Sequence, residues 1–364
     1  MTDPVRLTES DALHARALAF VRAFEHGEAA PEPFDALAVD LARFQARHVA
    51  GYARLCAARG VDPGRIRSAA EAPAVPTDAF KVATVFAFPG DQARVTFRTS
   101  GTTIGARGAH PMRITSTYDA AALAFGRAML APDLEPPMPV LVVGPSPQHA
   151  PDSSLAHMCT TFARSWSRDG AWFLRDGELD VEGLRQRVAE LDVRRPAVVL
   201  ATSLALAHLL DLAPSLPLPA GSRVMQTGGF KGRAREVDAA ELRRSVARLF
   251  AVDERHVVSE YGMTELSSQF WEGTMARAGT PPGVYREPPW ARVVPVHPET
   301  LAPVADGDIG IARIEDLANV DSAFAVLAAD LVRRVSGGFE LLGRAPGAAP
   351  RGCSIAVDEM LGGR

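Results

Sequence analysis

"TSGTTIGARG", residues 99–108, sets glycines among hydroxyl and small side chains directly after the apolar run "RVTF". Glycine lets a backbone turn sharply and approach a ligand closely. Successive backbone N–H groups and Ser/Thr hydroxyls then make a cradle for an anion. Ordinary surface turns share this composition. No Gly-Lys-Ser/Thr follows, so the stretch is not a Walker loop. A second stretch, "SEYGMTEL" (259–266), groups Tyr261, Gly262, Met263, Thr264 and Glu265 at the end of an apolar run. An exposed tyrosine ring can stack on a purine. A hydroxyl and a carboxylate beside it can hold a phosphate and its Mg²⁺, which prefers oxygen ligands shared between carboxylate and phosphates. A plain strand–turn with Glu265 in solvent has the same spacing.

Lys81 and Lys231 are the only lysines; every other basic side chain among the 39 Lys and Arg is arginine. Lys231 lies in "QTGGFKGR" and Lys81 ends "VPTDAFK", just ahead of the Gly/Thr stretch. An ammonium is a compact charge that meets phosphate oxygens without needing a planar partner. Lysines in ordinary surface ion pairs would read the same way. Cys56, Cys159 and Cys353 are far apart, with no C-x-x-C spacing for zinc and an odd number for a disulfide framework. Most such cysteines are small buried apolar residues. In Cys353 the thiol follows Arg351 by two positions, and nearby positive charge lowers a thiol's pKa.

The elements that would position these residues alternate. Residues 34–60 predict one helix, with Leu37, Leu41, Phe44, Tyr52 and Leu55 near helical spacing. From residue 95 the runs "RVTF", "PVLVVG", "PAVVLATS", "SRVMQTGGF" and "HVVSEYG" read as strands. Between them "STYDAAALAFGRAML", "VEGLRQRVAELD", "LALAHLLDLA" and "DAAELRRSVARLF" read as helices, the first with Ser116 and Asp119 placed as a capping box. The alternation predicts a layered α/β fold with a largely parallel sheet. After about residue 290 short strands follow, broken by Gly, Pro and Asp, with no further long helix expected.

Composition narrows the function. The 364 residues are 47% hydrophobic and 23% charged, enough for a sizeable core. A net charge of −4 advertises no nucleic-acid partner. No apolar stretch is long enough for a membrane span, and the N-terminus carries no secretion pattern. A reduced, cytoplasmic enzyme is the expectation.

"AVPTDAFK", "TSGTT", "PDSSLAHM", "TGGFKGR", "EYGMTELSSQF", "EDLANVDS" and "GFELLGRAPGAAPRGCS" occur in that order between about residues 35 and 356. This set resembles the acyl-protein synthetase branch of the acyl-adenylate-forming superfamily, the fatty acid–luciferin-component ligases of bacterial bioluminescence and their relatives. Phenylacetate–CoA ligases are similar at greater distance. The resemblance implies ATP and Mg²⁺, a carboxylic and most naturally fatty acid, release of pyrophosphate from acyl-AMP, and transfer to a protein thiol. It implies that Thr99, Ser100, Gly101, Thr102, Thr103 and Gly105 hold the ATP phosphates, although Ile104 interrupts the superfamily spacing. It implies that Gly228, Gly229 and Phe230 line the adenine and Tyr261 covers its other face. Thr264 would contact phosphate, Glu265 would hold Mg²⁺, Asp330 would bind the ribose and Arg344 would mark the hinge.

Superfamily members continue past the hinge into a mobile lid carrying a catalytic lysine, whereas this sequence ends at Arg364. The expected organisation is a core over 1–340, with a helical segment at 1–75 and a β-rich end from about 290, then a truncated or vestigial lid over 341–364. Lys231, or failing that Lys81, is expected to supply the missing cation. Ser153, Ser154 and His157, with His149 nearby, are expected to line the acid pocket as positioning groups, since a carboxylic acid is already ionised at pH 7. The resemblance points to Cys353 as the acyl carrier. CoA, a carrier-protein thiol, or a scaffold role beside an acyl reductase are the alternative destinies.

Overall fold

The computed structural model describes residues 4–99, 107–175, 177–227, 238–277, 279–346 and 351–362. The chain forms two compact units. One comprises Met1–Ala124, Met263–Ser268 and Arg286–Arg364; the other comprises Phe125–Gly262 and Gln269–Tyr285. Among the described residues, no helix is long and apolar enough to cross a membrane.

In the first unit an antiparallel meander runs Ala291–Val296, Ile309–Asp316, Ala325–Val335 and Gly338–Arg344. Val75–Pro76 joins it parallel to the third of these strands. A separate hairpin pairs Val95–Arg98 with Ala109–Met112. Helices Pro4–Glu25, Phe34–His48 and Ala50–Ala58 complete the N-terminal part. The single helix expected over 34–60 is thus two. Val49, β-branched and extended at φ −113° and ψ 98°, interrupts it, because Val49 serves as C-cap to one helix and N-cap to the next.

The β-rich end also holds a helix that the sequence reading did not expect, Arg351–Leu361. Its Cys353, Ala356 and Met360 recur at helical spacing and are buried. The Arg54 guanidinium donates to the Met360 carbonyl at 2.6 Å and that of Arg59 to Glu359 at 2.7 Å, fastening this helix to Ala50–Ala58. Gly352 is required at its start, since a Cβ there would lie 2.8 Å from the Pro298 carbonyl.

The second unit is the layered α/β part. Its strands lie in the order Glu178–Leu179, Ala171–Arg175, Val140–Pro145, Val198–Thr202, Arg223–Thr227, Val257–Tyr261 and Phe270–Glu272. The five from Ala171–Arg175 to Val257–Tyr261 are parallel. Leu141, Val143, Val199, Val224 and Val257 pack with Leu206, Leu209, Leu242, Val246 and Phe250 in one apolar layer. Helix Ser154–Trp166 contributes Phe162 and Trp166, stacked at 4.2 Å, with Trp271 tilted 6.0 Å from Phe162. The incoming chain caps the helices: Ser153, Asp180, Thr202 and Asp238 each accept an N–H bond from the first turn that follows.

Arg243 of helix Ala239–Phe250 donates to both oxygens of Glu272 at 2.6 Å. Glu272 also accepts the N–H groups of Ser259 and Gly283 at 2.8 and 2.6 Å. Removing one partner of a buried pair leaves a stranded charge. Arg243→Leu should therefore cost about 3–5 kcal/mol in urea unfolding. The exposed Arg248→Ala should stay within about 0.5 kcal/mol of the parent. Equal effects would show that the buried pair contributes no more than a surface one.

Candidate active site

The parallel register sets one edge of the second unit. Val143 pairs with Ala201, Thr202 with Thr227, and Thr227 with Glu260. Strands Val140–Pro145, Val198–Thr202, Arg223–Thr227 and Val257–Tyr261 therefore all end on that edge, where open α/β sheets gather ligands. Strand order also reverses there. Ala171–Arg175 lies on one side of Val140–Pro145 and Val198–Thr202 on the other. The sequence stretches 145–158, 227–233 and 260–265 all begin at these strand ends. Gly228, Gly229, Phe230 and Lys231 lie outside the described residues.

Thr227 donates its hydroxyl to Glu260, a buried carboxylate. The other oxygen of Glu260 would stand 2.5 Å from a Cβ at position 262, so any side chain there would displace the Glu260 carboxylate. Tyr261 is only 7% exposed, with Phe270 at 6.0 Å and Tyr285 at 6.2 Å from its ring. The expected exposed ring is corrected: Tyr261 ends a strand buried along its whole length, and its aromatic neighbours cover it. Ser153 caps helix Ser154–Trp166 through a 3.2 Å bond from the Ala156 N–H. Ser154 and His157 lie half-buried on that helix's first turns. His149 hydrogen-bonds Ser146 at 2.7 Å on an exposed loop.

In the first unit Thr99 and Gly108 close the base of the hairpin. The Thr99 N–H donates to the Gly108 carbonyl at 3.0 Å, and the Gly108 N–H to the Thr99 hydroxyl at 2.9 Å. Ser100, Gly101, Thr102, Thr103 and Gly105 lie outside the described residues. Met263–Ser268 carries Thr264 and Glu265. Glu265 is 6% exposed, so the solvated reading of this carboxylate is excluded. The Glu265 carbonyl accepts the Asn319 amide at 2.9 Å. That of Thr264 accepts His110 Nδ1 at 2.6 Å. Burial pushes the His110 imidazolium pKa down to about 4, against its bond to Thr264, so the ring is neutral near pH 7.

Asp316 accepts the Ser267 N–H at 2.8 Å and the Ser268 hydroxyl at 2.7 Å, and burial pushes its pKa up to about 6. Asp316 and Asn319 lie in "EDLANVDS", which stands out in sequence only by family resemblance, and His110 lies outside every such motif. A run of acid and amide side chains inside an otherwise apolar, β-rich stretch was the signal available. Asp330 and Arg344 face each other on paired strands, with the Arg344 guanidinium 3.3 Å from the Asp330 carboxylate. Lys81 is 44% exposed and pairs with Asp78 at 2.6 Å. Among the described residues no three metal-binding side chains cluster. One buried carboxylate fits a Mg²⁺ ion that is shared with substrate phosphates.

A family profile described as "Acyl-protein synthetase, LuxE" matches residues 20–362. The chain belongs to the acyl-protein synthetase family. No curated protein matches it. Among solved structures, ATP-bound MatB from Rhodopseudomonas palustris is 18% identical with a TM-score of 0.50, over 72% of this chain and 51% of that one. An open conformation of 2-hydroxyisobutyryl-CoA ligase, in complex with 2-HIB-AMP and CoA, is 13% identical with a TM-score of 0.65. That match covers 85% of this chain and 69% of the ligase. These likenesses show that the chain has the fold of the adenylate-forming ligases. It spans about half the length of the MatB structures it matches.

The thiol of Cys353 departs from expectation. Burial, with the Asp78 carboxylate adding to it, pushes the pKa up to about 11 from 9.0. Arg351 does not lower it, because Cys353 faces inward on its helix and is 4% exposed. A rise of two units cuts the thiolate fraction at pH 8 about a hundredfold. Iodoacetamide should label Cys353 in the native protein at least about a hundredfold more slowly than in urea, read by peptide mass spectrometry. Equal rates would show that the helix exposes its thiol in solution.

Proposed function

We propose that the chain activates a carboxylic acid, most naturally a fatty acid, with ATP and passes the acyl group to a thiol. The observation that supports this reading is the shared strand edge of the second unit. The stretches expected to hold the acid and the adenine, and the one that runs on to Thr264 and Glu265, each begin there. The acid's carboxylate oxygen attacks the α-phosphorus of ATP, forming a P–O bond as the bond to pyrophosphate breaks. A thiolate then attacks the acyl carbon and AMP leaves.

Gly228, Gly229 and Phe230 would line the adenine, Asp330 would hold the ribose and Thr264 a phosphate, while the covered Tyr261 ring stays in the core. Ser154 and His157 would position the acid, while Ser153 keeps their helix capped. Glu265 would hold Mg²⁺, which supplies charge neutralisation for the phosphates when bound. Lys231 would stabilise the charge that gathers on the phosphate oxygens at the transition state. Lys81 is the weaker candidate, because Asp78 already neutralises it at the surface.

A second reading concerns the acceptor alone. The buried Cys353 thiol favours an external one, either CoA or the thiol of a carrier or reductase partner. A labelled acid separates the two: label that stays on the denatured chain supports Cys353, and label on the added thiol supports the second reading.

Pyrophosphate exchange into ATP across a panel of carboxylic acids tests the activity itself. Exchange with at least one acid is expected, and none with any would refute the reading. Glu265→Gln should abolish Mg²⁺-dependent exchange while leaving the thermal midpoint nearly unchanged; exchange near the parent rate would remove the metal role. Lys231→Met should slow adenylation at least about a hundredfold, the scale of a lost transition-state charge partner. Lys81→Met should do much less. The reverse order would move the catalytic cation to the 76–81 stretch.

A further inference from the structure

His110 sits two residues beyond Gly108, on the outgoing strand of the hairpin, and pairs in register with Phe97. Gly108 is itself bonded to Thr99 in both directions. The ring is therefore fixed relative to Thr99 and Gly108 together. It is 2% exposed and meets the Phe80 ring edge-on at 5.8 Å and 69°. Its Nδ1 lies 2.6 Å from the Thr264 carbonyl oxygen. A carbonyl only accepts, so Nδ1 carries the hydrogen. The next carbonyl, of Glu265, accepts from Asn319 Nδ2 at 2.9 Å. Asn319 Nδ2 also donates to the Ala323 carbonyl at 2.7 Å, so this second anchor belongs to the meander and not to the hairpin. Two consecutive peptide planes are thus held from two different parts of the chain. The direction in which the Glu265 side chain leaves the backbone follows from those planes, which flank its Cα.

We propose that His110 is a positioning residue: its Nδ1–H bond to the Thr264 carbonyl holds Thr99 and Gly108 in register with Thr264 and Glu265. ATP phosphates and the Mg²⁺ they carry then meet both segments in one geometry. The proposal rests on the adenylation reading above. Burial of a neutral imidazole inside a protein is commonplace. Here the Nδ1 donor is spent on the backbone beside the residue expected to hold the metal, while Asn319, which bonds the next carbonyl, also hydrogen-bonds the ring. A role confined to packing would be met by any ring of the same size.

The test compares the parent with His110→Phe, which keeps the ring and removes the donor, and His110→Asn, whose amide N–H stands close to the position of Nδ1–H. The readouts are the KM for ATP, the Mg²⁺ concentration for half-maximal pyrophosphate exchange, the KM for the best acid, calorimetric binding of ATP with Mg²⁺, and the thermal midpoint. His110→Phe is expected to raise the first two about tenfold and to weaken ATP binding in step, leaving the acid's KM unchanged. His110→Asn is expected to return them to within about threefold of the parent, although it packs worse.

An asparagine variant no better than the phenylalanine one, an acid KM that rises in parallel, or a phenylalanine variant matching the parent would each overturn the proposal. Should the phenylalanine variant not fold, His110→Asn against His110→Gln decides, since glutamine places its amide one carbon too far; equal values would overturn it. A parent that exchanges pyrophosphate while His110→Phe does so equally well defeats this proposal alone. A parent that neither binds ATP nor exchanges defeats the adenylation reading, and this proposal with it.

Discussion

Beneath the Met263–Ser268 segment lies a set of buried polar groups whose burial is tolerable only because each is paired. Asp316, wholly inaccessible to solvent, accepts from Ser267, Ser268 and Ala318. Trp290 donates in turn to the Ser268 hydroxyl at 3.1 Å. Asn319 accepts from the Ser267 hydroxyl at 3.1 Å and donates to Glu265 and Ala323. Gln45 closes the set from an N-terminal helix, bonding the carbonyls of Asn319 and Val320 and the N–H of Phe324. An unpaired polar group in such a place costs several kcal/mol, so the network holds as a whole or fails as a whole. Among the described residues the segment pairs with no strand along Thr264 and Glu265; side chains from 315–324 and His110 set its course.

That constraint explains how a short turn can carry chemistry. A carboxylate expected to meet Mg²⁺ must be held in place before the nucleotide arrives, or ordering it would consume binding energy. Rigid support from a meander and a hairpin meets the need. In the second unit the same demand is met by register. Four adjacent parallel strands end together; Thr202 caps the following helix at the strand's last residue, and Ser153 caps its helix after the loop that leaves Pro145. Function then resides in the short segments between strand end and helix start.

The layered α/β part was legible because strand and helix periods differ and the caps stand at the junctions. The run "DAAELRRSVARLF" read as a helix is helix Ala239–Phe250, capped by Asp238, and all five strands read between residues 95 and 261 are present. Other features were not legible because they depend on what packs against what. Val49 looks like one more apolar residue in a helical run, and only its extended backbone splits the helix. Helix Arg351–Leu361 is short and follows a Gly/Pro-rich stretch, and the surface that holds it comes from residues far away in sequence. Tyr261 reads as exposed until Phe270 and Tyr285 are folded around it. The charge of Arg351 suggested a reactive Cys353, but the helix turns that thiol inward and burial outweighs the neighbouring charge. Asp330 and Arg344 were each legible by resemblance; their pairing across the strands was not.

Hydrogen exchange read by mass spectrometry, with and without ATP and Mg²⁺, tests the central claim most directly. The claim is that the stretches at the parallel strand ends, and separately the clamped Met263–Ser268 segment, respond to nucleotide. Exchange is expected to slow in peptides covering 99–108, 226–233 and 260–266, and to stay unchanged in helix Pro4–Glu25 and in strand Ala291–Val296. Protection confined to those last two elements, or none anywhere at saturating ATP and Mg²⁺, would contradict it.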